Sequence, residues 1–139
     1  MKFNFLVAAT WIALLSSCSQ TKVPNTDLDV ARAFINDILS NNFNAAEKLV
    51  MKDTININED TNKQYFDLFK KEYESKSKEE LENYRNADII INEISTVSDS
   101  VSIVNYSTSF LRNKSNKLKM VRVNGQWLVD LKYTFSGNF

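Results

Sequence analysis

Histidine is absent from this 139-residue chain, cysteine and proline occur once each, and glycine occurs twice. Each shortage removes a class of chemistry or architecture. Without histidine there is no Ser-His-Asp triad, no Cys-His pair and no imidazole metal site. A single cysteine cannot close an internal disulfide, so the fold must be held by its core even in an oxidising compartment. With so little glycine and proline, long disordered linkers are not expected. Neither sign of charge dominates, since 17 Lys and Arg meet 17 Asp and Glu. The chain therefore lacks the basic field that draws proteins to nucleic acid. No metal and no cofactor are expected, and the length fits one domain.

What is present begins with an address. Lys2 gives a positive start, and residues 3–15 are apolar except for Asn4 and Thr10. No acidic residue precedes Asp27. This is the tripartite pattern of a signal peptide. At roughly 13 residues the apolar run is short of the ~20 that a permanent spanning helix needs. Leu15-Ser16-Ser17-Cys18 resembles the bacterial lipobox, in which a branched apolar residue and two small ones precede an acylated cysteine. That resemblance implies cleavage between Ser17 and Cys18, with lipid on the Cys18 thiol. Several acyl chains, at about 0.8 kcal/mol per buried CH₂, anchor stably where one is marginal. Ser19, rather than an aspartate, follows the cysteine. By the same resemblance this implies the outer membrane, facing the periplasm. The alternatives are an ordinary secretory signal and a buried N-terminal core helix. The expected organisation is a leader over 1–17, a lipidated cysteine and polar tether over 18–26, and one domain over 27–139.

In that domain the hydrophobic period changes from about 3.6 to 2. Val30, Ala31, Phe34, Ile35, Ile38 and Leu39 form one stripe, predicting a helix over about 27–39. A short second helix is expected over about 43–51. Residues 51–60 read either as loop or, through Ile55 and Ile57, as a short strand. Thr61 with Gln64 reads as a capping box opening a third helix, with Tyr65, Phe66, Phe69 and Tyr73 on its buried side. Ser77 with Glu80 reads as a second box opening a fourth. Strands follow over about 89–97, 101–111, 118–123 and 126–135. Asn124-Gly125 marks a hairpin, because both residue types tolerate positive φ. Helices followed by consecutive antiparallel strands imply an α+β domain, its helices packed on a curved sheet of about four strands.

The stripe over 30–39, the segment Asn41-Asn42-Phe43-Asn44-Ala45-Ala46 and the hairpin over 121–130 resemble small bacterial lipoproteins of unknown function. These have the cystatin-like fold shared with nuclear transport factor 2, ketosteroid isomerase and putative lumazine-binding proteins. The resemblance implies a cone: a bent sheet around a long helix, with a pocket at the open end. It implies pocket-lining roles for Tyr106, Tyr133 and Phe69. No catalytic motif of the enzymes with this fold matches residue by residue, so it assigns no catalytic position.

The residues themselves also have plainer readings. Tyr106 and Tyr133 are candidate hydrogen-bond donors to a ligand, or ring packing with the hydroxyl at an edge. Asp130 reads as solvent-facing, opposite Lys132 or a lysine of the neighbouring strand, with a general base as the sharper alternative. Trp127 reads as core. The mixed charges over 70–82 read as a solvated helix face. Arg112, Lys114, Lys117 and Lys119 form a small basic cluster without interleaved aromatics, which argues against nucleic acid. The expected function is a non-catalytic, membrane-anchored envelope module, not an enzyme. It would bind a small molecule or an envelope protein, with the membrane engaged through lipid on Cys18. The alternatives are a cone-fold enzyme using a buried Asp or Tyr, and a structural or assembly lipoprotein acting through its surface as a homodimer.

Overall fold

The computed structural model describes residues 24–53 and 59–136. The leader, Cys18, most of the tether and the alternation at Ile55 and Ile57 lie outside the described residues. Helix α1 (Asp27–Leu39) buries the expected stripe of Val30, Ala31, Phe34, Ile35, Ile38 and Leu39. Thr26 caps its start, accepting from the Asp29 N–H at 3.1 Å. Its other end closes as a Schellman motif. Asn41 adopts φ 61°, its N–H donates to the Ile38 carbonyl and the Asn42 N–H donates to the Asp37 carbonyl at 2.7 Å. The reversal feeds a short α2 (Phe43–Glu47).

Helix α2 stops earlier than the expected residue 51 because the sheet offers better partners. Val129 N–H donates to the Leu49 carbonyl at 2.8 Å, and Met51 N–H to the Val129 carbonyl at 2.9 Å. This parallel bridge between Val50 and Val129 covers one sheet edge, which would otherwise present unpaired backbone groups. Helix α3 (Thr61–Glu74) is capped by Asp60, one residue before the expected Thr61. The Asp60 carboxylate accepts from Lys63 N–H at 3.0 Å and from Asp53 N–H at 3.2 Å. A carboxylate also suits the positive end of the helix better than a hydroxyl does. Helix α4 (Lys78–Arg85) opens with the expected reciprocal box between Ser77 and Glu80.

Strands β1 (Ile89–Ser98), β2 (Val101–Thr108), β3 (Asn116–Val123) and β4 (Gln126–Asp130) form an open antiparallel meander in the order β1-β2-β3-β4. The α+β architecture is thus as expected, and the hairpin between β3 and β4 turns at Asn124 (φ 51°) and Gly125 (φ 82°). Register irregularities at 91–93 and 96–98 interrupt β1, which bends and twists a strand. Ser102, Val104, Leu118, Met120 and Val129 of the inner sheet face are buried with α1. Two polar links, one partly buried and one buried, fix that packing. Ser102 Oγ donates to Asp27 Oδ2 at 2.6 Å, joining β2 to the start of α1. Tyr73 Oη donates to the Leu39 carbonyl at 3.2 Å, joining the end of α3 to the end of α1.

Two strands are shorter than expected. Strand β2 ends at Thr108 in a turn closed by Leu111 N–H on the Thr108 carbonyl. Strand β4 ends at Asp130, and the remainder is a helix, α5 (Leu131–Ser136). A long-range contact decides this. Asn62, fully buried on α3, accepts from Lys132 N–H at 2.8 Å. Leu131 and Phe135, four residues apart, then fall on one helical face toward α3. Phe135 stacks on Tyr65 at 5.1 Å and meets Phe69 edge-on at 6.1 Å. No helix among the described residues is long and apolar enough to cross a membrane.

Candidate functional site

The sheet and helices leave a cavity of about 580 Å³ between α1, α3, α4, β2, β3 and α5, a size typical of small-molecule sites. Its floor is fixed by fold-forming residues: Phe34, Ile35 and Ile38 of α1, Leu118 of β3 and Leu131 of α5 line it and are all buried. Its walls are aromatic, with Phe69, Tyr84, Tyr106 and Phe135. The mouth is polar. Glu72, Lys114 and Ser115 line it and are exposed.

Tyr106 is the most perturbed group of this wall. Protein surrounds its ring, and the loss of water pushes the phenol up to about 12, helped by the neighbouring Tyr84. Part of the side chain nevertheless stays accessible, as a residue facing a cavity must. It is therefore a neutral hydroxyl at physiological pH. Thr134 supplies a second one: among the described residues its Oγ1 is buried without a hydrogen-bond partner, and the residue lines the same cavity. A buried hydroxyl without a partner is costly, and a ligand atom would relieve that cost.

Of the three residues expected to line a pocket, Tyr106 and Phe69 line this one and Tyr133 does not. Tyr133 was expected on a strand face with Trp127, Val129 and Leu131. On α5 it leaves the face shared by Leu131 and Phe135, and Lys119 Nζ sits 5.3 Å from its ring centroid. Trp127 is partly buried and packs against the core. Asp130 was expected in solvent; it is instead 7% exposed. Its Oδ2 pairs with Lys119 Nζ of the neighbouring strand at 3.2 Å, and its Oδ1 is buried without a hydrogen bond among the described residues. By strand alternation it lies on the sheet face opposite Val129. Asp130 does not line the cavity, where the one carboxylate is Glu72, 3.4 Å from Lys76 Nζ. Among the described residues no group of three His, Cys, Asp or Glu side chains could hold a metal ion.

The sequence reading missed Thr134, Phe135 and Tyr84. For Phe135 a signal existed, its spacing of four from Leu131. Lys114 was noted as a charge but not as part of a site, because only the fold brings the β2–β3 turn over the end of α1. No family model matches the chain, and neither a curated protein nor a solved structure does.

Proposed function

We propose that this domain is a non-catalytic binding module that encloses a small, mainly apolar molecule, and that lipid on Cys18 holds it at the bacterial cell envelope. The observation that carries the reading is the cavity: about 580 Å³, floored by buried aliphatic and aromatic side chains, with the Tyr106 and Thr134 hydroxyls in its wall. Apolar surface gives affinity, and a few placed polar groups give orientation. An open antiparallel sheet packed on α1, with a cavity at one end, supports a reading as a cystatin-like cone. The lipobox-like Leu15-Ser16-Ser17-Cys18 supports the anchor.

The test is extraction and mass spectrometry of the protein from its native cells, beside Thr108→Trp. Thr108 lines the cavity, and an indole there would project into it and narrow it. Wild type should release a small molecule that the folded variant lacks. The same small molecules from both proteins, or none from either, would count against the reading. Intact mass tests the anchor separately, since an unmodified Cys18 or a retained Met1 would remove it.

A further inference from the structure

The chemistry of the cavity wall narrows the occupant, on the premise that the proposed binding function holds. The first observation is the number of rings. Phe34, Phe69, Tyr84, Tyr106 and Phe135 all line one cavity. Two of them are held by ring contacts outside it: Phe135 by stacking on Tyr65, and Tyr84 by Tyr73 and Phe110, each at 6.0 Å. Fixed rings favour a ligand that meets them by offset stacking or edge-on contact, and a flat ring does this better than a flexible chain.

The second observation is charge. Glu72 at the mouth is matched by Lys76 at 3.4 Å, and Lys76 also sits 5.3 Å from the Tyr84 ring centroid. That placement leaves little room for a cationic ligand on the same ring face. Lys114, exposed on the turn between β2 and β3, lines the mouth and makes no ion pair among the described residues. Lys117 also lines the cavity, but it alternates with the inward Leu118, which directs its side chain toward the other sheet face. The mouth thus presents one unmatched positive charge above an apolar, ring-lined interior.

We propose that the occupant is an aromatic monocarboxylate, its planar ring system among Phe69, Tyr84, Tyr106 and Phe135 and its carboxylate at the mouth beside Lys114. At the ~30 Å³ that one water occupies in the liquid, the cavity of about 580 Å³ accommodates a molecule of roughly 19 heavy atoms. Two fused rings with one carboxylate fall within that size.

The experiment is calorimetric titration of the full chain with three probes: 2-naphthoate, the uncharged 2-naphthalenemethanol, and the aliphatic acid decanoate. Naphthoate should bind about fivefold tighter than either other probe, the size of one exposed charge contact or one aromatic contact of about 1 kcal/mol. Its advantage over the alcohol should shrink at high salt, because the mouth is exposed. Lys114→Gln should abolish that advantage while leaving alcohol binding unchanged. Phe69→Leu should weaken both aromatic probes and spare decanoate. If decanoate matches or exceeds naphthoate in wild type, the aromatic assignment is wrong and the binding function stands. If acid and alcohol bind equally and Lys114→Gln changes neither, the carboxylate assignment is wrong. If no probe binds saturably, or Thr108→Trp binds all three as wild type does, the cavity is not a binding site and both readings fall.

Discussion

Replacing Tyr106 by phenylalanine should change how stability responds to alkaline pH, and do little near neutrality. In the folded chain the Tyr106 phenol is pushed up to about 12 by desolvation, with Tyr84 adding to the shift. In the unfolded chain it titrates near 10. Between those values the unfolded state has released the proton and the folded state still holds it, so unfolding releases a proton. Stability from this group is therefore complete below pH ~10 and is lost as pH rises towards 12. The slope approaches about 1.4 kcal/mol per pH unit, for a total near 3 kcal/mol. Lys63 and Lys76 are also held above the usual lysine value, so the difference between wild type and Tyr106→Phe is the informative quantity. Urea unfolding of both proteins between pH 8 and 11.5 measures it, and the ultraviolet tyrosinate signal should lose its last-titrating component. Near pH 7 the variant should be as stable as wild type or slightly more so, since no hydrogen bond to this hydroxyl is present among the described residues. Parallel stability curves for the two proteins would show that Tyr106 is solvated as an ordinary surface tyrosine, and the description of the cavity wall would be wrong.

Other substitutions test the frame that holds the cavity. Asn62→Ala should cost about 1–3 kcal/mol in urea unfolding, because it removes a fully buried side chain and leaves the partly buried Lys132 N–H unpaired; hydrogen exchange should show α5 released before the rest. Phe34→Ala, at a position 2% exposed on both core and cavity, should cost about 3–5 kcal/mol. A loss below 1 kcal/mol would mean the α1 stripe is not the core. Gly125→Ala meets no atom within 4 Å but requires φ +82°. Its cost, about 1 kcal/mol, should be purely conformational and should be smaller for Gly125→Asn. The Glu80 carboxyl is held below its usual range by its hydrogen bonds to the Ser77 backbone and side chain. The capping contribution of Glu80 should therefore be lost as pH falls through its folded value, and Glu80→Gln should flatten that part of the acid unfolding curve.

Local signals carried much of the fold. The 30–39 stripe, the Ser77-Glu80 box and the Asn124-Gly125 turn are each complete within a few residues, and each forms the structure it encodes. What was not legible depends on partners far along the chain. The stretch over 131–135 fits a strand or a helix by its own pattern, and Asn62, 70 residues earlier, selects the helix. That choice moves Tyr133 off the cavity and brings Thr134 and Phe135 onto it. The end of α2 likewise depends on the Val129 backbone, which no local pattern announces. At the site, periodicity placed Phe69 and Tyr106 on faces shared with core residues, and the family resemblance implied that they line a pocket. Lys114 could not be read this way, since its place at the mouth follows from the fold of the β2–β3 turn.

A ligand bound as proposed enters the space under the inner sheet face. Nuclear magnetic resonance with methyl-labelled protein and 2-naphthoate tests it most directly. Intermolecular contacts should appear to the Ile38 and Leu118 methyl groups, which floor the cavity, while Val121 and Leu128 on the outer face stay unmoved. Contacts confined to Val121 and Leu128, with Ile38 and Leu118 silent, would contradict the account and assign the protein's activity to its surface.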